Sequence, residues 1–205
     1  MVQNTSGKRK LDKAFFLSDD VVQVARDLIG KRLLTLQNGT LTSGIISETE
    51  AYGGVSDKAS HAYGDRRTKR TEIMYHEGGC IYVYLCYGIH SLFNVVTNKE
   101  GIPDAVLIRG VIPEKGMDEM LRRRNTTNKR ILADGPGKLS QAMGIHHSYS
   151  GIELGSKLNG FSVWMEQGYT SISGLITSGP RIGIDYAGDD ALLPWRFKLK
   201  KLTLQ

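Results

Sequence analysis

The dipeptide Asn38-Gly39 constrains this chain most. A two-residue hairpin needs positive φ at both central positions, and Asn followed by Gly supplies it at least cost. The dipeptide breaks an extended stretch over residues 32–42, and a further strand follows over 44–52. Alternation along that strand places Ile46, Glu48, Glu50 and Tyr52 on one face. Two acids on a single face are unusual for a purely structural strand, so one of them is expected to point into a site. With 24 glycines against 5 prolines, the chain has the turn chemistry of a protein with a substantial β component.

The remaining pattern mixes short strands and short helices. Ser18-Asp19-Asp20 opens an expected helix, with Ser18 as its cap and Val21, Val22, Ala25, Leu28 and Ile29 as its apolar face. Residues 53–79 are loop-rich, with a short helix expected around 70–75. Gly78-Gly79 turns the chain into a strand over 80–87, Gly88 permits a reversal, and 91–98 returns as its partner, which leaves Tyr87 at the hairpin tip. A strand over 105–111 precedes a helix over 114–124. Gly135-Pro136-Gly137-Lys138-Leu139 enters a short helix that Gly144 can close. Residues 161–166 and 195–199 form strands, and 178–184 is expected to be a turn entering another. Strands dominate without βαβ regularity, so the fold class is α+β in a single domain.

Composition narrows the setting. A net charge of +6 with pI near 9.3 attracts polyanions, although solubility alone accounts for it equally well. Cys80 and Cys86 fall in one expected strand, about 20 Å of extended chain apart and beyond disulfide reach. Met1 to Lys10 has no apolar run of a signal peptide, and no stretch approaches a membrane span. A cytoplasmic, non-secreted protein is expected, with residues 1–12 as a flexible basic tail and 13–205 as the domain.

The chemistry concentrates between positions 48 and 88. Glu48-Thr49-Glu50-Ala51-Tyr52, His61 and Tyr82-Val83-Tyr84 with Tyr87-Gly88 combine a carboxylate with stacking surfaces. Arg66-Arg67-Thr68-Lys69-Arg70 lies between them and suits phosphate contact. Taken singly, each element also reads as ordinary: strand aromatics, a solvated basic loop, a plain Gly-Pro turn. The histidines and cysteines lack a zinc spacing, and there is neither a Walker sequence nor a dinucleotide fingerprint.

The ordered set nevertheless resembles the alkyladenine (3-methyladenine) DNA glycosylases. The resemblance runs from Glu48-Thr49-Glu50-Ala51-Tyr52 through His61, Tyr82-Val83-Tyr84, Tyr87-Gly88, Asn94 and Leu107-Ile108-Arg109. It continues through Gly135-Pro136-Gly137-Lys138-Leu139 to Arg181-Ile182-Gly183-Ile184, covering roughly residues 18–200. Residues 145–178 match less well, and Lys69 stands where the mammalian proteins have a proline.

The resemblance implies a compact, mostly antiparallel, open barrel-like sheet flanked by helices, with a protruding hairpin. It implies a monofunctional enzyme that flips alkylated or deaminated purines, such as 3-methyladenine, from duplex DNA and hydrolyses the N-glycosidic bond. Glu50 is then the general base, with Arg109 and the Ile182 backbone holding its water and Glu48 structural. Tyr52, His61, Tyr84 and Asn94 form the base pocket, Tyr87 fills the vacated stack, and Arg66, Arg70 and Lys138 grip phosphates. No metal or organic cofactor is implied; the partner is double-stranded DNA containing damaged purines, bound by a monomer. The rival reading is a non-catalytic nucleic-acid-binding module using the same aromatics as a stacking platform.

Overall fold

The computed structural model describes residues 3–4, 9–170 and 172–200. In chain order the elements are β1 (Gln3–Asn4), α1 (Lys13–Phe16), α2 (Val21–Asp27), β2 (Arg32–Gln37), β3 (Thr40–Tyr52), β4 (Ile81–Cys86), β5 (His90–Thr97) and β6 (Asp104–Lys115). There follow α3 (Met117–Arg124), α4 (Pro136–Met143), β7 (Lys157–Leu158), β8 (Phe161–Glu166), β9 (Tyr169–Thr170), β10 (Ile176–Gly179) and β11 (Arg196–Leu199). Every strand pairing is antiparallel, and the main sheet runs β4-β5-β6-β3-β2-β8-β7. It curls into a half-barrel, as the resemblance implies, and the fold is α+β in a single domain, as the strand and helix pattern expects. Much of the expected tail, residues 1, 2 and 5–8, lies outside the described residues. Of the rest, Gln3–Asn4 pairs with β9 and Lys10 bridges to Glu166.

The founding hairpin forms where the sequence places it. Asn38 and Gly39 take φ of 50° and 83° between β2 and β3. β3 is the hub: one edge pairs with β6 along its length, while the other pairs first with β2 over Thr40–Ile45 and then with β11 over Glu48–Glu50. Register shifts flank Glu48, between Ile46 and Glu48 and between Glu48 and Thr49. A bulge of this kind bends the strand and reverses its inward–outward parity. The expected shared face of Ile46 with Glu48, Glu50 and Tyr52 is therefore corrected. Ile46 joins Ala51 in the apolar core, while Glu48 and Glu50 turn to a row of basic and polar partners.

Other local readings shift for similar reasons. Asp20, not Ser18, caps α2, its carboxylate accepting from the Gln23 N–H at 2.8 Å. The expected helix over 114–124 starts later, because β6 extends through Pro113 to Lys115. Pro113 is tolerated there because it lies at a register shift opposite Gly44. Residues 178–184 do not enter a strand; they leave β10 and lead into a 3-10 segment, Asp185–Leu192. By contrast, β8 matches expectation, and Gly144 closes α4 with φ of 69°. The main core packs α2, α3 and α4 against the sheet, and a smaller one around Met74, Tyr75 and Tyr82 supports the far end of β4.

Candidate active site

Glu50 is fully buried, and three donors meet its carboxylate. Oε1 accepts from the Ile182 N–H at 2.8 Å; Oε2 accepts from the Tyr52 hydroxyl at 2.8 Å and from Arg109 Nη1 at 3.2 Å. A buried carboxylate is costly unless so bonded. A carboxylate offers about four acceptor sites, so one remains. Arg109 is itself anchored by Glu48, whose Oε1 takes Arg109 Nε at 3.0 Å and Arg196 Nη1 at 3.2 Å. Lys198, next but one along β11, adds a third cation 3.8 Å from Glu48. The two acids of β3 thus have different settings, one half-buried among three cations, the other fully enclosed.

In front of this nest opens a cavity of about 450 Å³. Tyr52, His61, Tyr84 and Asn94 all line it, as do Arg109 and Ile182. Glu50 lies just behind that lining. The His61 and Tyr84 rings meet edge to face at 4.6 Å, and Tyr84 stacks on Tyr82 at 5.5 Å. Burial raises the Tyr84 phenol, and burial with the neighbouring Glu50 raises Tyr52 well above its ordinary range. Burial, then the charges of Arg70 and Arg66, lower His61 to about 4, so the imidazole is neutral near pH 7. Its Nδ1 lies 2.9 Å from the hydroxyl of Tyr82, a nearly inaccessible side chain. Tyr82 lines the cavity as well, so the bonded pair forms part of its wall. Asn94 donates from Nδ2 to the carbonyls of Tyr82 and Leu92, which fixes the amide and leaves Oδ1 as its free acceptor.

Tyr87 stands at the tip of the β4–β5 hairpin and is 92% exposed. The Ile89 N–H closes the turn onto the Cys86 carbonyl at 3.1 Å, with φ of 50° at Tyr87 and 73° at Gly88. A bulky aromatic at positive φ is an outlier where Asn or Gly would be relaxed, and such strain collects at working positions. Gly137 at the start of α4 packs against the hairpin just past its turn; a Cβ there would meet the His90 ring at 3.0 Å. Lys138, on the same turn of α4, pairs with Asp134 at 3.0 Å. Arg66 and Arg70 are exposed, whereas Arg67 is occupied, lying 3.8 Å over the Tyr75 ring.

Sequence reasoning missed several participants. Tyr186, Met74 and Ile184 line the cavity, and Tyr186 is 71% exposed at its rim. It also missed Asp57 and the role of Arg181, which form a fully buried ion pair behind Tyr52. The only local signal was that Arg181 immediately precedes Ile182.

Residues 15–203 match the sequence model of the family described as methylpurine-DNA glycosylase. The chain belongs to the methylpurine-DNA glycosylase family. A Chlamydia felis protein named "Putative 3-methyladenine DNA glycosylase" is 49% identical over 191 residues, 92% of this chain and 95% of that protein. Proteins of the same name from Chlamydia pneumoniae and Bacillus cereus (strain AH187) are 46% and 44% identical. They cover 92% and 89% of this chain, and 94% and 92% of their own lengths. Nearly the whole of this methylpurine-DNA glycosylase family member, the carboxylate nest, aromatic cavity and hairpin included, falls inside the match. Among its described residues no group of three or more His, Cys, Asp or Glu could hold a metal ion. No described helix is long and apolar enough to cross a membrane.

Proposed function

We propose that this chain, a DNA glycosylase for alkylated bases, uses Glu50 as the general base that activates water against C1′ of a flipped nucleotide. The observation that carries the reading is the enclosed carboxylate directly behind an aromatic cavity, with one acceptor site left over. Arg109 and the Ile182 amide orient both the carboxylate and the incoming water. The Arg109 contact to Glu50 is the longest of the three and can yield to that water while Nε stays on Glu48. Tyr52, His61 and Tyr84 enclose the base, and their electron-rich faces suit a cationic alkylated purine such as 3-methyladenine. Such a lesion is already an activated leaving group. The neutral His61 adds no competing charge to the pocket.

Asn94 crowds the base edge where normal guanine carries its 2-amino group. Tyr87 occupies the vacated stack in double-stranded DNA, and Arg66, Arg70 and Lys138 hold the flanking phosphates. The enzyme acts as a monomer in the cytoplasm and leaves the sugar–phosphate chain intact. Deaminated purines fall within the same pocket by shape.

A binding module built only for stacking has no use for a buried acid held by three donors, and family membership weighs against it as well. The deciding experiment is release of free 3-methyladenine from methylated duplex DNA in the presence of EDTA. Retention of the DNA with no base released would sink the enzymatic reading in favour of the stacking platform.

A further inference from the structure

Arg181 and Asp57 are both fully buried side chains and pair through two bonds, Nη1 to Oδ2 at 2.5 Å and Nη2 to Oδ1 at 2.9 Å. Neither lines the cavity. Replacing such a pair by apolar residues is often neutral or stabilising, so its presence is weak evidence for stability. Its connections point elsewhere. The Arg181 guanidinium carbon lies over two rings, 4.9 Å from the centre of Tyr52 and 5.1 Å from that of Trp195. Nη1 also donates to the carbonyl of Ala51 and Nη2 to that of Asp190. Asp57 accepts from the N–H groups of Gly53 and Ala59, at the start and middle of the loop that carries His61. The residue after Arg181 is Ile182, whose N–H bonds Glu50.

We infer that the Asp57–Arg181 pair, backed by Trp195, is a positioning clamp for the glycosylase reaction: it sets the Tyr52 wall and the Ile182 donor together. The inference rests on the proposed role of Glu50. The clamp touches neither base nor water. It joins segments far apart in the chain, 51–59 and 181–190, and holds them so that wall and donor keep a fixed spacing to Glu50. A planar, five-donor guanidinium can bond four oxygens in its plane while also lying over aromatic rings, and a lysine ammonium cannot. Small misplacements at such range are costly in rate.

The test compares Arg181→Lys, Asp57→Asn and Trp195→Leu with the parent enzyme. Single-turnover release of hypoxanthine from duplex DNA is measured beside the Kd for a duplex carrying a tetrahydrofuran abasic analogue, and beside exchange protection of the Ile182 amide. The single-turnover rate should fall roughly 10- to 100-fold, with Kd moving by no more than about threefold. The Ile182 amide should lose protection. Trp195→Leu removes one stacking face without exposing a buried charge, so it carries the test if the other two do not fold, with a smaller loss of the same pattern. Folded variants with parental rate and Ile182 protection would overturn the clamp, as would equal losses in rate and binding. Failure of the parent enzyme to release base would instead count against the Glu50 reading. Ile182 protection still reports on the clamp in that case.

Discussion

The backbone N–H of Ile182 donates to Oε1 of Glu50 at 2.8 Å, across 132 residues of chain. Tyr52 and Arg109 complete the set on Oε2, so every neighbour of this carboxylate is a donor.

Glu50→Gln should therefore do two things. It removes the proton acceptor, and base release should fall by about 10²- to 10⁴-fold, the usual scale for a lost general base. It also turns an amide NH₂ toward the Ile182 N–H or the Arg109 guanidinium, neither of which can accept, which should cost roughly 1–3 kcal/mol of stability. Single-turnover assays and urea denaturation read the two separately. Glu48→Gln should be much milder, since Arg196 and Lys198 share that site with Arg109. Equal damage from both would remove Glu50 as the sole base.

Tyr87→Asn should separate stability from flipping. The side chain is almost wholly exposed and sits at positive φ, which Asn tolerates better, so the variant should be as stable as the parent or up to about 1 kcal/mol more stable. Without the ring, the flipped population should shrink, since unstacking costs a few kcal/mol. Stopped-flow fluorescence of a reporter lesion follows this directly. Normal flipping with slow hydrolysis would move Tyr87 into the catalytic pocket.

Arg66 and Arg70 are exposed on one loop, near enough to bear on His61. Neutralising both should weaken binding to damaged and undamaged duplexes alike and reduce the salt slope of log K by about 1.8, two phosphates' worth. A loss confined to lesion DNA would place them in the pocket instead. The same pair of substitutions should raise the His61 pKa, since both charges lower it.

His61 also predicts how stability depends on pH. Its folded pKa of about 4 lies below the ordinary 6.5, so between these values the unfolded chain binds the proton and the folded one resists it. The contribution of His61 is unchanged above pH 6.5 and is lost progressively as pH falls toward 4, by up to about 3 kcal/mol. In His61→Gln that part of the acid loss should vanish. Denaturation curves at pH 7.5 and 4.5 for both proteins would show it, and an identical pH dependence would refute the assignment.

What the sequence determined by itself was whatever depends on near neighbours. Asn38-Gly39 made its hairpin because two positive-φ residues suffice, β8 appeared over its expected residues, and Gly88 and Gly144 turned the chain where expected. The candidate residues were legible because the family motifs preserve their order. The tertiary structure decided the rest. No local pattern shows the register shifts around Glu48, because a bulge is defined by two strands at once, yet they send Ile46 to the core and Glu50 behind the cavity wall. The helix expected over 114–124 starts later because Pro113 pairs with Gly44 in the sheet. Nothing local singles out Asp57, since the group that makes it matter, Arg181, arrives 124 residues later. Turn chemistry and alternation act over a few bonds; the burial of a charge and the aim of a donor depend on segments that only folding brings together.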